Sequence, residues 1–284
     1  MAENITIVFI ISPGRSGAHY AMSLIDGHPQ VSCIPTEMVF HRFWDHHNCD
    51  VIRDPLQLSE TILRDFRISR FRHGPFVIMP EVQQEQQEWH CIDFDLLEKL
   101  FTKFMLEREV SRRNSFLSLH QAFFKTIGGN LDNLRAIVEF GGLADYNGQR
   151  LADFPSARIL EVTRNPLAVF NSKKMINYRT HDGLLHSKHP VFSSKFLLSR
   201  DNQLMVHHFR QMYDLQARVG SDQYFRFVVE DFNVDLDSAI TRFARWLGIK
   251  DDPCLRQSTI LGAKFLLHDA GDHGDAARIL EKGI

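Results

Sequence analysis

The first residues that could do chemistry lie between two apolar runs near the start of the chain. Pro13-Gly14-Arg15-Ser16-Gly17 combines two glycines with an arginine and a hydroxyl, after a strand-like run and before a helix-like one. Glycines let the backbone approach a ligand closely, and the first turn of a helix offers free N–H groups at the positive end of its dipole. The pattern therefore predicts an anion site with Arg15 as a ligand.

A second basic group follows a later strand-like run. Arg164 comes directly after the segment 157–163, and Ser172 follows eight residues later in a predicted helix that starts near Pro166. With that spacing, Ser172 can face the strand end from which Arg164 projects. Two anion-binding groups at strand ends predict a ligand with two phosphate-like groups rather than a single phosphate.

The elements that must position these groups alternate between strands and helices. Strands are predicted at 5–11, 157–163 and 224–229, and helices at 94–110, 167–175 and 236–247, the last ending at Gly248. Such alternation predicts an α/β fold, a doubly wound parallel sheet with helices on both faces and sites at the carboxyl ends of its strands. Because no linker interrupts the chain, a single domain over residues 1–284 is predicted.

Composition narrows the function classes. The chain has 284 residues, 44% of them hydrophobic, and a formal net charge of -2, so any anion site must be local, and neither nucleic acid nor a membrane surface is an expected partner. Four cysteines without a CxxC pair favour a reducing compartment and argue against zinc. The fifteen histidines include adjacent pairs but no HExxH, so no metal is expected. With no span or signal segment evident, the sequence predicts a cytoplasmic protein.

Two long stretches resemble one known family. PGRSGAHYAMSLIDGHPQV at 13–31 resembles the 5′-phosphosulfate loop of sulfotransferases, and FPSARILEVTRNPLAVFNS at 154–172 resembles their 3′-phosphate motif. FFKT at 123–126 is similar to their lysine-threonine step, and the stretch 224–249 is similar to a later strand, Glu-Asp turn and helix. These features occur in the family's order over most of the chain, and an ordered set is far more specific than either short motif.

The resemblance implies a P-loop-like nucleotide-binding fold and a sulfotransferase that uses 3′-phosphoadenosine 5′-phosphosulfate (PAPS) as co-substrate, without a metal. It assigns to the nucleotide Gly14, Arg15, Ser16, Gly17, Ala18, His19, Arg164 and Ser172. It assigns to catalysis Arg15 at the leaving phosphate, Lys125 at the bridging oxygen and Glu37 as the base that takes the acceptor proton. His41 and His19 are the next candidates for the base.

The chain departs from the family pattern at three places. Ala18 and His19 stand where the family has two threonines, so either His19 replaces a missing donor or the position has lost its function. Ile127 stands where many cytosolic members have a catalytic histidine, which leaves the base to another residue. The glycine-rich segment that completes the 3′-phosphate site is not recognisable near the end of the chain.

Two other functions remain open on the sequence. A P-loop kinase using ATP would need GxxxxGK[ST], which the chain lacks. An inactive nucleotide-binding module descended from a transferase would bind the desulfonated nucleotide without turnover. The acceptor of an active enzyme is expected to be a small molecule or a carbohydrate, and a peptide tyrosine would suit the aromatic and histidine content of residues 177–206 equally well.

Overall fold

The centre of the protein is a parallel sheet of five strands. The computed structural model describes residues 5–14, 16–35, 39–64, 92–142, 146–166, 168–169 and 200–264. The strands are β1 (Thr6–Ile11), β2 (Val31–Cys33), β3 (Ala136–Gly142), β4 (Arg158–Thr163) and β5 (Tyr224–Val228), in the order β2-β3-β1-β4-β5. Every neighbouring pair is parallel. The predicted α/β fold with a doubly wound parallel sheet is confirmed.

β1 is the middle strand and is covered on both faces. Val8, Phe9 and Ile10 are fully buried, which explains why the sequence shows an unbroken apolar run rather than an alternating one. β3 pairs with it on one side and β4 on the other. The loop that follows β1 therefore starts from the most constrained part of the molecule.

Nine α-helices accompany the sheet in the described part of the chain. They are α1 (Ala18–Ile25), α2 (Phe40–His46), α3 (Pro55–Leu63), α4 (Phe94–Leu106), α5 (Arg112–Thr126), α6 (Asn147–Asp153), α7 (Arg200–Arg218), α8 (Val229–Val234) and α9 (Leu236–Leu247). A short antiparallel pair, β6 (Thr259–Ile260) and β7 (Ala263–Lys264), follows.

The helices lie on both faces of the sheet. The strand register places Phe9 on the same face as Ile159 and Tyr224, so Phe227 faces the other way. Phe116 of α5 packs near Phe9, whereas Tyr20 of α1 packs edge-on against Phe227. α1 and α5 therefore cover opposite faces.

The predicted element boundaries are largely confirmed, with a few shifts. α9 has the predicted bounds and ends at Gly248, whose φ of 75° is left-handed. α4 begins at Phe94 as predicted but ends at Leu106, and the next helix follows with Ser111 as its N-cap. The strand at 224–229 ends at Val228, since the following residues form α8 instead of a turn.

Two elements of the structure go beyond the elements predicted from the sequence. β3 and α5 were not predicted. Of the helix predicted at 167–175, Ala168 and Val169 are helical, as is Pro166 just before it, and the remainder lies outside the described residues. One cluster of buried side chains joins the strands to the surrounding helices, and the single-domain organisation stays a prediction.

Candidate nucleotide-binding site

The loop after β1 and the residues after β4 begin at one edge of the sheet. Ile11, the last residue of β1, is in register with Gly142 of β3 and Glu161 of β4, and Thr163 is in register with Val228 of β5. Because the strands are parallel, their carboxyl ends meet at this edge. The loop after β1, the residues after β4 and the start of α8 are therefore neighbours.

The loop after β1 turns through two left-handed glycines. Gly14 has a φ of 76° and Gly17 a φ of 93°, which side chains with a Cβ adopt only with strain. The Gly14 N–H donates to Ser12 Oγ at 3.2 Å, so the turn begins with a local hydrogen bond. The glycines thus allow the backbone to reverse sharply between β1 and α1.

Gly17 also lies so close to α8 that a side chain at this position would clash. A Cβ at this position would lie 2.6 Å from Cγ2 of Val229, the first residue of α8. Gly17 is the N-cap of α1, which has neither a side-chain cap nor an acidic residue in its first turn. No side chain therefore caps the first turn of α1 within the described residues, and that turn lies next to the end of β5.

Ser16 lies between these glycines with its hydroxyl buried. Its side chain is fully inaccessible, and Ser16 Oγ has no hydrogen-bond partner within the described residues. A buried hydroxyl without a partner is uncommon and calls for an explanation. A ligand oxygen held by the same loop would supply the missing partner.

Arg164 follows the last residue of β4 and is half-buried. Within the described residues it has no carboxylate partner at salt-bridge distance. The next residue, Asn165, donates its backbone N–H to Glu230 Oε1 at 2.8 Å, which ties the end of β4 to α8. Val169 N–H then donates to Asn165 O at 3.0 Å, as expected for a helix that starts near Pro166.

The two residues that replace the family's threonines are also described. Ala18 is buried and offers only its backbone N–H. The ring of His19 lies 5.9 Å from the ring of Phe140 in β3. This contact is on the side of β1 opposite to β4, so His19 extends toward β3 and away from Arg164.

The structure separates Lys125 from the loop after β1. Lys125 is in the last turn of α5 and is exposed. α5 runs antiparallel to the strands: Phe116 packs near Phe9 in the middle of β1, and the residues after the helix lead into Ala136, the first residue of β3. Lys125 therefore lies at the amino edge of the sheet, opposite to the edge at which the loop after β1 begins.

Three predicted site residues lie outside the described residues. They are Arg15, Glu37 and Ser172. Their roles stay predictions.

His41, an alternative base, is fully buried, and its Nε2 lies 3.1 Å from Asp153 Oδ2. Burial lowers the pKa of His41 although Asp153 opposes this, and the surrounding rings of Phe9 and Phe116 indicate a structural role.

Sequence reasoning missed a buried charged pair next to the site. Glu139 of β3 is 4% exposed, and burial raises its pKa to about 7 although nearby Arg150 opposes the shift. Arg150 of α6 is fully buried. The signal in the sequence was a glutamate inside the apolar run AIVEF, which interrupts an otherwise strand-like segment.

In the described ranges, no group of three or more His, Cys, Asp or Glu side chains could hold a metal ion. No helix in that part of the chain is long and apolar enough to cross a membrane.

A parallel sheet with a glycine loop and a helix N-terminus at its carboxyl edge defines an α/β protein of the phosphate-binding type. The chain belongs to the sulfotransferase family, whose family model matches residues 8–253. Membership of this family identifies it as a sulfotransferase enzyme. No curated protein sequence matches the chain.

Solved structures share the fold at low sequence identity. The sulfotransferase domain from the Synechococcus PCC 7002 olefin synthase has a TM-score of 0.55 and 14% identity, covering 96% of this chain and 84% of that one. The sulfotransferase domain from the curacin biosynthetic pathway has a TM-score of 0.53 and 12% identity, covering 90% and 78% respectively. At such identity, the similarity extends to the fold alone.

Proposed function

We propose that this protein transfers a sulfuryl group from PAPS to a hydroxyl or amine acceptor. The observation that carries the proposal is the buried Ser16 hydroxyl, which has no partner among the described residues and lies between two left-handed glycines at an uncapped helix N-terminus. Membership of the sulfotransferase family supports the reaction type. The half-buried Arg164 at the end of the neighbouring strand supports a nucleotide with a second phosphate.

The residues of the loop after β1 stabilise charge on the leaving phosphate. When bound, PAPS supplies the sulfuryl group, whose bond to the bridging oxygen breaks as a bond to the acceptor forms. The first N–H groups of α1, the Ser16 hydroxyl and the guanidinium of Arg15 donate to the 5′-phosphate oxygens where negative charge develops. Fixed donors of this kind cost no reorganisation during the reaction.

The other proposed residues bind the nucleotide and accept the proton. Arg164 and Ser172 hold the 3′-phosphate, as the resemblance implies. Glu37 takes the proton from the acceptor as the new bond to sulfur forms. In the sequence Glu37 follows β2, whose carboxyl end points to the same edge of the sheet as that of β1, and this supports its role.

The acceptor and the location are part of the proposal. A small-molecule alcohol, phenol or sugar is the proposed acceptor, with a peptide tyrosine as the alternative. Three described cysteines, Cys33, Cys49 and Cys254, are free thiols, which supports a reducing, cytoplasmic location.

Stabilisation by nucleotides tests the two-phosphate site. Adenosine 3′,5′-bisphosphate should raise the melting temperature more than AMP or ADP at equal concentration, because only it fills both the loop and the Arg164 site. Arg164→Ala should weaken its binding by about 1.5–3 kcal/mol, the usual scale of a charge-assisted hydrogen bond. Lys125→Ala, at the opposite edge of the sheet, is the matched control and should leave binding unchanged. Equal stabilisation by AMP would refute the two-phosphate site, and stronger binding of ATP with Mg²⁺ would favour a kinase.

A further inference from the structure

Glu230, in the first turn of α8, holds the chain that follows the neighbouring strand β4. Its Oε1 accepts from the backbone N–H of Asn165 at 2.8 Å. The last paired residues of the two strands are Thr163 of β4 and Val228 of β5, so both partners of this bond lie two residues beyond the paired strands. The Glu230 side chain thus extends the pairing past the sheet edge, where the backbone after β5 has already turned into α8.

The same bond completes the N-terminus of the helix that starts at Pro166. Asn165 is the N-cap of that helix, because its carbonyl oxygen accepts from the Val169 N–H at 3.0 Å. In a capping box, a Glu or Gln at the third helical position accepts from the N–H of the N-cap residue. Here the third position is Ala168, which has no side-chain acceptor. Glu230 therefore supplies the missing acceptor from another element of the fold.

Arg164, the proposed 3′-phosphate ligand, is the single residue between two points at which the chain is attached. Thr163 before it is paired with Val228. Asn165 after it is held by Glu230. An ionised carboxylate only accepts hydrogen bonds, so Glu230 does not bind a phosphate itself and acts through the backbone next to Arg164. The backbone of Arg164 is therefore fixed relative to β5 and α8.

The residue before Glu230 contacts the other proposed phosphate-binding loop. A Cβ at Gly17, the N-cap of α1, would lie 2.6 Å from Val229 Cγ2. Val229 is 5% exposed and belongs to the buried core, so its position is fixed by packing. Two successive residues of α8 thus contact the loop after β1 and the chain after β4, and α8 sets the distance between them.

We propose that Glu230 is a positioning residue for nucleotide recognition: by holding Asn165, it keeps Arg164 at the distance from the loop after β1 that a nucleotide with both a 5′- and a 3′-phosphate requires. Its contribution is selectivity for adenosine 3′,5′-bisphosphate over AMP, which lacks the second phosphate. Loss of the bond should release Arg164 and leave the loop after β1 intact. The inference rests on the proposed function and on Arg164 as the 3′-phosphate ligand.

Calorimetric titration with the two nucleotides measures this selectivity as the ratio of their dissociation constants. Glu230→Ala should reduce the selectivity by about 3–10-fold, less than Arg164→Ala does, because the arginine remains but is no longer held. Glu230→Gln removes the same charge but keeps an oxygen that accepts from Asn165, so it should retain most of the selectivity. Asp231→Ala removes a charge from the exposed next residue, whose side chain does not bond to Asn165, and should leave the selectivity unchanged.

Three outcomes of the titration would overturn the proposal. They are an unchanged selectivity in Glu230→Ala, an equal fall in Glu230→Ala and Glu230→Gln, and an equal fall in Glu230→Ala and Asp231→Ala. The second outcome would assign the effect to the charge rather than to the hydrogen bond, and the third to the charge of α8 as a whole.

Two further measurements separate positioning from a general loss of stability. In the Arg164→Ala background, Glu230→Ala should change the selectivity by less than about twofold, because its effect passes through Arg164; strict additivity of the two substitutions would overturn the positioning role. The Asn165 amide should exchange its hydrogen about fivefold faster or more in Glu230→Ala than in Glu230→Gln, while the amides of α9 keep their protection, and equal exchange would overturn the proposal. Equal affinity of the wild-type protein for both nucleotides would refute the two-phosphate site of the proposed function, whereas a selective wild type that Glu230→Ala leaves unchanged would refute only the role of Glu230.

Discussion

Replacing Gly17 with alanine tests how the loop after β1 is held against the end of β5. The new Cβ would lower the free energy of unfolding in two separate ways. The backbone has a φ of 93°, and a left-handed conformation costs a residue with a Cβ about 1–2 kcal/mol. The Cβ would also lie 2.6 Å from Val229 Cγ2, well inside the ordinary contact distance of 3.4–4 Å. Overpacking of this kind costs about 1–3 kcal/mol.

Gly27→Ala is a matched control because it carries only the first cost. Gly27 has a φ of 68°, and a Cβ there would meet nothing within 4 Å. We therefore expect the free energy of unfolding to fall by about 1–2 kcal/mol in Gly27→Ala and by about 2–5 kcal/mol in Gly17→Ala. Urea denaturation monitored by circular dichroism would measure both values. Gly17→Ala should also weaken binding of adenosine 3′,5′-bisphosphate, whereas Gly27→Ala should not.

The double variant Gly17→Ala/Val229→Ala identifies the source of the difference. Shortening Val229 removes the atom that the new Cβ would meet, so the double variant should be less destabilised than the sum of the single variants by about 1–3 kcal/mol. Strict additivity, or a Gly17→Ala cost no larger than that of Gly27→Ala, would refute the close approach of the loop to α8.

Two further predictions concern ionisable groups. Glu37→Gln should lower kcat by roughly 10²–10⁴-fold with little change in nucleotide binding, because the amide cannot take the acceptor proton; near-normal turnover together with loss of activity in His19→Ala would move the base to His19. Complete burial lowers the pKa of His120 to about 3. Between that value and about 6.5 the unfolded chain binds a proton that the native protein excludes, so the stability should fall as the pH falls, by up to about 1.4 kcal/mol per pH unit. Urea denaturation of His120→Gln should show a slope smaller by that amount between pH 6 and 4, and parallel curves would contradict the assignment.

Hydrophobic pattern and turn chemistry were enough to predict several elements. β1 has an unbroken run of branched and aromatic residues, and α9 combines a helical apolar period with Gly248 at its end. β3 was missed because Glu139 interrupts the apolar run and two glycines close it, which resembles a loop. α5 was missed because nearly all of its middle is buried, including Ser115 and Ser118, so it lacks the polar face that marks an amphipathic helix.

The sequence by itself determined the local chemistry of this protein. The two glycines of the loop, the arginine after each of two strands and the strand-helix alternation predict phosphate binding at one sheet edge, because backbone conformation and helix dipoles depend on neighbouring residues. The tertiary structure decided which distant groups meet there. It separates Lys125 from the loop because α5 runs antiparallel to the strands, and it brings Glu139 to Phe40 because β3 lies beside β2. Contacts between residues so far apart in the chain depend on strand order and helix direction, which no local pattern encodes.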